Sequence, residues 1–482
     1  MPFVLAGNLT RGCRPRFRKG PGPHRSGLAA NENEVYESMT QQDYQSDLAG
    51  YYGNSTCATE YGGVRRQKHA RSPGLNIQPG EILKVSSRRF ARGRWVVGSF
   101  NADNRLYVFG CSVPSQPDVS IGWVEEVDPI TLETIRQSPD LKTGGHNWCG
   151  GAAVLADGTL ITGFGNRIHK LTQSLELIAE LELPVDHAHN GISLLSDGMM
   201  ITRNLEHDHS KKSVFTVFDP HTLEVLFRHE YVGASIGRFC VDPTPEGDYI
   251  YATTPTHIHR LKYKDQQLEL DRNWGASYDL PGEDQSFAWC NTVGDDSVWF
   301  MDMGDTPPLE TIMRAYPVGT KPMAFSEPGG APVRVHRVST TDSSSTDVLT
   351  PFGLPHGGHN SSPLYVQGKR ILLTFDTNNR KTGAWRFNGP GEFESLWVHD
   401  IGNSNQVFYY PDSGEVVVDD VLEDNNVDAV VIDIETGEVK GRVATGARYA
   451  SAMAFYPGLG RDFYSTSGPH GLLYRVYVSE NK

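Results

Sequence analysis

Cysteine is scarce in this chain: 482 residues contain six, Cys13, Cys57, Cys111, Cys149, Cys240 and Cys290, with no CxxC pair among them. That spacing excludes a zinc ribbon and a disulfide scaffold, and it points to a reducing, cytoplasmic compartment. Long apolar runs are also missing, so neither a membrane span nor a membrane partner is expected and a soluble protein is. Positive charge is in deficit, with 44 Lys and Arg against 58 Asp and Glu and a formal net charge of -14. A surface of that sign does not wrap a phosphate backbone, so nucleic acid is not an expected partner. What the chain has in quantity is glycine, 50 residues, with 38% hydrophobic residues. This composition suits a globular fold with many tight turns.

Residues 1 to 75 stand apart from the rest. Arg11, Arg14, Arg16, Arg18, Lys19 and Arg25 fall in the first thirty positions without one acidic residue, interrupted by Pro15, Pro21 and Pro23. The opening MPFVLAGNL is too short and too polar for a signal-peptide core. An acidic, Tyr-rich stretch follows (Tyr36, Tyr44, Tyr51, Tyr52, Tyr61). Residues 1 to 75 are therefore expected to be a basic, then acidic, largely irregular extension. Its removal should leave thermal unfolding nearly unchanged, and residues 76 to 482 should form the folded domain.

That domain repeats itself. GWVEEVDPITLETI from Gly122 returns as SVFTVFDPHTLEVL from Ser213 and as DAVVIDIETGEVKG from Asp428. Asp128 and Asp219 are two periods of about 45 residues apart, a spacing typical of propeller blades. Short apolar segments on either side of Asp-Gly and Gly-Asp turns, such as Ser196-Asp197-Gly198, read as hairpins. Innermost strands are expected to start near Val96, Cys149, Gly191, Arg238, Cys290, Ser362, Gln406 and Ser451. The last unit is one strand short, and EILKVSSRRF from Glu81 can supply it, which removes the exposed sheet edges. The expected fold is all-β: a single β-propeller of eight four-stranded blades (seven being the alternative), closed by an N-terminal strand. A Pro-rich insertion from Pro317 to Pro332 reads as a surface excursion.

Blade geometry gathers polar residues at one mouth of the channel. The stretch DHAHNGISLLSDGMMITRNL shows how: its two antiparallel strands return His187, His189, Asn190 and Arg203 to the same end. Equivalent positions elsewhere hold His146, Arg238, Asn291, His356, His359, Asn360, Asn405, Arg448 and Tyr449, with Asp302, Asp376, Asp419 and His470 after second strands. Three chemistries fit such a ring. His146, His189 and His359 can bind one divalent metal ion, with carboxylates orienting the imidazoles. Alternatively His187 or His189 acts as base or nucleophile with Asp376, while Arg203 and Arg238 and Arg448, with Asn190, Asn291 and Asn405, hold an anionic substrate. Or these groups satisfy one another around water. Cys149, Cys240 and Cys290 read as small packing residues of crowded inner strands. His207, Asp208 and His209 read as an exposed loop.

From about residue 80 to 480 the chain resembles the propeller superfamily of quinoprotein-type dehydrogenases, lactonases and strictosidine-synthase-like proteins. The first of these implies a quinone cofactor, but their recurrent Trp-and-Gly blade motif and vicinal cysteines are absent, so a quinone is not expected. Residues 186 to 204 are also similar to arylsulfotransferases. That likeness implies sulfuryl-transfer roles for His187 or His189, Asn190 and Arg203, with further anion contacts from His359. The expected function is an enzyme, hydrolase or lyase, acting on a small polar or anionic molecule at the channel mouth. Arylsulfotransferase-like group transfer and a non-catalytic binding or scaffold protein are the alternatives.

Overall fold

The computed structural model describes residues 47–91, 94–112, 120–279, 288–302, 330–359, 361–448, 455–467 and 471–481. Eight antiparallel sheets, seven of four strands and one of five, make eight blades. Their innermost strands are Arg94–Ala102, Cys149–Val154, His189–Leu194, Cys240–Thr244, Asn291–Gly294, Leu364–Val366, Phe408–Tyr410 and Tyr456–Pro457, for blades 1 to 8 in turn. Seven of these begin close to the expected positions; Ser451 lies outside the described residues, as do Asn360, Tyr449, His470 and most of the Pro-rich insertion. No helix among the described residues is long and apolar enough to cross a membrane.

Blade 8 closes as expected. Glu81–Arg89 pairs antiparallel with Leu472–Glu480, from Glu81 opposite Glu480 to Arg89 opposite Leu472. Segments from near both ends of the chain thus share one sheet, which closes the ring of blades.

The repeated Asp-Pro turn has a local cause. Asp128 accepts the amides of Ile130 and Thr131 at 2.9 and 2.8 Å, and Asp219 and Asp433 do the same for their own turns. Each turn then needs a left-handed residue four positions on. Leu132 (φ 63°), Leu223 (φ 60°) and Gly437 (φ 76°) fill it. Glycine does so without strain, whereas the two leucines offset the backbone cost by burying their side chains between strands.

Residues 47 to 75 carry no strand and only the short 3-10 turn Glu60–Gly62, and they lie inside the channel against the inner strands. Tyr51 bridges Leu155, Thr59 bridges Ala153 and His69 bridges Tyr409. The amides of Asn101, Val241, Val293 and Tyr409, on four different inner strands, donate to the carbonyls of Cys57, Val64, Arg65 and Lys68. Lys68 is fully buried, and its Nζ donates to the carbonyls of Ser362 and Pro363 at 3.0 and 2.7 Å. Leu48, Tyr51, Cys57, Ala58, Tyr61, Val64 and Leu75 are all buried. Removing this arm would leave the channel unfilled, so a lower melting temperature is expected for the truncated chain.

Candidate functional site

Inside the channel the arm turns at Glu60–Gly62 and brings a carboxylate up toward the mouth. Arg238, just before the inner strand of blade 4, donates to both oxygens of Glu60 at 2.9 and 3.1 Å. Arg66 lies 3.9 Å from the same carboxylate. The ring of Tyr61 lies beneath both guanidinium groups, 5.1 Å from Arg66 and 5.4 Å from Arg238. Tyr61 itself is left-handed (φ 60°), a strain that a residue between two cations can carry. Arg238 is therefore held by the protein's own carboxylate rather than left open for a substrate. Burial works against its charge, but Glu60 more than offsets this and raises its pKa.

Arg203 has no such partner. It stands in the second strand of blade 3 (Met200–Asn204) and is fully buried. One nitrogen donates to the Gly237 carbonyl at 2.7 Å, while Nε and the other terminal nitrogen meet no hydrogen-bond partner among the described residues. Burial pulls its pKa down to about 9; the groups acting on it are Tyr231, Cys290, Arg238 and Arg66, none of them a carboxylate. Beside it His189 is buried and neutral: desolvation lowers its pKa to about 3, and the charge of Arg203 pushes the same way. His189 Nδ1 donates to the His187 carbonyl at 2.9 Å, which leaves Nε2 as a lone-pair acceptor with no partner among the described residues.

The remaining expected residues divide by role. Asn190 is a clasp between blades, its amide donating to the Ile236 carbonyl at 2.8 Å and its oxygen accepting from the indole of Trp148 at 3.3 Å. Asn291 donates to the Tyr251 carbonyl at 2.9 Å. Asn405 is built into the loop that Asp419 anchors, since Asp419 accepts the amides of Ser404 and Asn405. Asp376 does the same for its own loop: it accepts from Gly358 and from Asn379, backbone and side chain. Those bonds anchor its loop. Arg448 is exposed at the end of the outermost strand of blade 7, Val439–Arg448, away from the inner strands.

The metal triad is not assembled. His146 pairs with Asp186 at 3.0 Å on the half-exposed rim, and its ring stacks on His187 with centroids 5.9 Å apart. His359 is buried in blade 6, where Nδ1 donates to the Ser361 carbonyl at 2.7 Å and burial lowers its pKa to about 4. Among the described residues no group of three or more His, Cys, Asp or Glu side chains is placed to hold a metal ion. Cys149, Cys240 and Cys290 are buried thiols, as their packing role requires. Sequence reasoning missed Glu60, Tyr61 and Arg66, and also His207, whose ring comes within 6.4 Å of that of His187.

The fold is an eight-bladed β-propeller whose channel holds the N-terminal arm, with Arg66, Arg203 and His189 buried, and Arg238 nearly so, around blades 3 and 4. No protein-family model matches the chain, and no curated protein does. Solved structures match it by shape alone. A europium-containing methanol dehydrogenase covers 91% of this chain and all of its own length with a TM-score of 0.60 at 8% identity. A quinohemoprotein alcohol dehydrogenase from Pseudomonas putida matches at 0.53 and 11%, over 91% of this chain and 82% of its own. Sqt1 from Chaetomium thermophilum matches at 0.54 and 10%, over 82% of this chain and its whole length. Such identities establish architecture and nothing about reaction or cofactor. The arylsulfotransferase likeness of residues 186 to 204 is supported by none of these comparisons.

Proposed function

We propose that this propeller binds a small anionic molecule at the channel mouth of blades 3 and 4 and acts on it as a hydrolase or lyase. The observation that carries the reading is Arg203. A buried guanidinium with two unpaired nitrogens costs several kcal/mol, and proteins keep such groups where a ligand completes them. Three guanidinium groups, Arg66, Arg203 and Arg238, share this region with one carboxylate, Glu60, so the balance favours an incoming anion. His189 supplies the chemistry. Its Nδ1 hydrogen bond fixes the tautomer and leaves Nε2 as a free lone pair, and an anion bound on Arg203 would cancel the charge that helps to hold this imidazole's pKa down, making Nε2 a better proton acceptor. Proton removal by that nitrogen, from water or from a carbon next to the anionic group, gives hydrolysis or elimination respectively.

Calorimetric titration with acetate, phosphate and sulfate tests the binding half. The wild-type protein should bind at least one of them and Arg203→Met none; equal binding by both proteins would end the proposal. For the chemistry, a panel of lactones and carboxylate-bearing esters should yield a substrate whose turnover drops about 100-fold or more in His189→Gln, the scale of a lost general base. Unchanged turnover in that variant would remove His189 from the reaction.

A further inference from the structure

The connection between blades 3 and 4, residues 231 to 239, ties three separate features to the anion recess. Its Gly237 carbonyl accepts from Arg203, and its Ile236 carbonyl accepts from Asn190, which in turn receives the indole N–H of Trp148. Gly237 packs so tightly on the Trp289 carbonyl that a Cβ there would collide with it, which fixes the connection against the start of blade 5. Arg203, Trp148 and Trp289 are thus held by the same few residues.

The two tryptophans also share an apolar floor. Leu205, Ala234 and Ile236 form a small buried cluster, separate from the blade cores, and both indoles pack against it while remaining half-buried. Each stands just before an inner strand, Trp148 ahead of Cys149–Val154 and Trp289 ahead of Asn291–Gly294, so both belong to the mouth. Trp95 braces Trp148 from behind, edge to face at 5.6 Å. The indole nitrogen of Trp289 is buried and has no partner among the described residues. Two half-buried indoles over an aliphatic floor, one of them braced by Trp95, are tied through residues 236 and 237 to a cation that lacks an anion, and together they make a composite surface. One part binds charge and the other binds a flat apolar surface.

We infer that the ligand of this site is an aromatic or other planar apolar carboxylate, or an equivalent oxyanion, with its charged group on Arg203 and its ring against Trp148 and Trp289. This rests on the anion-binding reading above and narrows it to a substrate class. Small inorganic anions would fill only the Arg203 half. Neutral aromatics would fill only the indole half and leave the guanidinium uncompensated.

The experiment uses the full chain and three probes: 2-naphthoate, acetate and 2-naphthol, followed by tryptophan fluorescence and by calorimetry. The expected result is that 2-naphthoate binds at least tenfold more tightly than either of the others. Trp289→Leu should bring 2-naphthoate close to acetate while leaving acetate unchanged, and Arg203→Met should bring it close to 2-naphthol. Circular dichroism and melting of each variant establish that it is folded, and Trp148→Phe, which keeps a ring, provides a milder substitution with an intermediate loss. Acetate binding as tightly as 2-naphthoate overturns the inference while leaving the anion site standing. 2-Naphthol binding as tightly as 2-naphthoate overturns it by removing the role of charge. Failure of all three probes to bind overturns both this inference and the anion-binding reading on which it rests.

Discussion

Arg203 carries most of the argument at the scale of single residues, and it makes an unusual stability prediction. An ordinary buried arginine is a pillar whose removal costs 3 kcal/mol or more, because it strands a partner charge. Arg203 strands only the Gly237 carbonyl, so Arg203→Met should leave stability unchanged or raise it by up to ~2 kcal/mol in the absence of ligand. Urea unfolding measures this; a loss above ~2 kcal/mol would show that the guanidinium holds the fold rather than a ligand. Histidines predict the pH dependence. Burial lowers the pKa of His69, His169, His259 and His359 to about 4 and of His189 to about 3. Below the ordinary imidazole value of about 6.5 the unfolded chain takes up protons that these five refuse, so stability falls as pH drops from there toward 4. Burial raises Asp47 to about 7 and Asp419 to about 6 and also pushes Asp242, Asp248, Asp295 and Asp376 upward, which acts in the opposite direction because the folded state holds those protons; the five imidazoles, whose unfolded value lies inside the pH range, set the sign there. Melting temperatures between pH 7 and 5 should therefore decline on acidification, and less steeply in His359→Gln; a flat profile would count against the buried, neutral imidazoles. Arg203 and His189 could be located in the sequence because strand alternation sends them to the mouth. Their bonding could not: nothing in the local pattern distinguishes Arg203, without a counter-ion, from Arg238, whose counter-ion Glu60 lies 178 residues away in the sequence, in the chain's arm.

Among the structural elements, the arm and the blade turns show opposite kinds of legibility. The Asp128, Asp219 and Asp433 turns are closed by hydrogen bonds within five residues, so their chemistry repeats in the sequence and reveals the blades. Residues 47 to 75 form backbone hydrogen bonds with the inner strands of blades 1, 2, 4, 5 and 7, with no period of their own, and three of them, Tyr61, Arg66 and Lys68, adopt left-handed backbone angles that composition does not announce. A segment stabilised only by distant partners looks irregular until the partners are in place. Truncation of residues 1 to 75 should accordingly lower the melting midpoint by ~5 °C or more, since several buried side chains are each worth about 1.5 to 3 kcal/mol before the cost of ordering the arm. Scanning calorimetry gives the answer directly, and coincident transitions for the truncated and full chains would mean that the arm contributes no net stability. Glu60→Gln should have a narrower effect: it leaves Arg238 and Arg66 without their charge partner and so should destabilise by about 3 kcal/mol, the penalty for one half of a buried ion pair.

On the scale of the whole molecule, the ring is closed by a strand from near the N-terminus and its channel is filled by the arm of residues 47 to 75. The closing strand Glu81–Arg89 pairs along its whole length with Leu472–Glu480, so deletion through residue 92 should cost far more than deletion through residue 75, with loss of cooperative unfolding. Similar melting curves for the two truncations would contradict the closure. Both the closure and the blade count were legible in the sequence because a unit one strand short demands a strand from elsewhere. The substrate was not, because the solved propellers described above share only 8 to 11% identity with it and the shape serves many chemistries. The central claim, that the mouth of blades 3 and 4 is an anion site, is tested most directly by a crystal structure of the protein grown in selenate, whose anomalous signal marks the ion. The account predicts a selenium peak within hydrogen-bonding distance of Nε and a terminal nitrogen of Arg203 and near Nε2 of His189. A structure in which those Arg203 nitrogens are bonded to protein groups, with no selenium peak beside them, would contradict it.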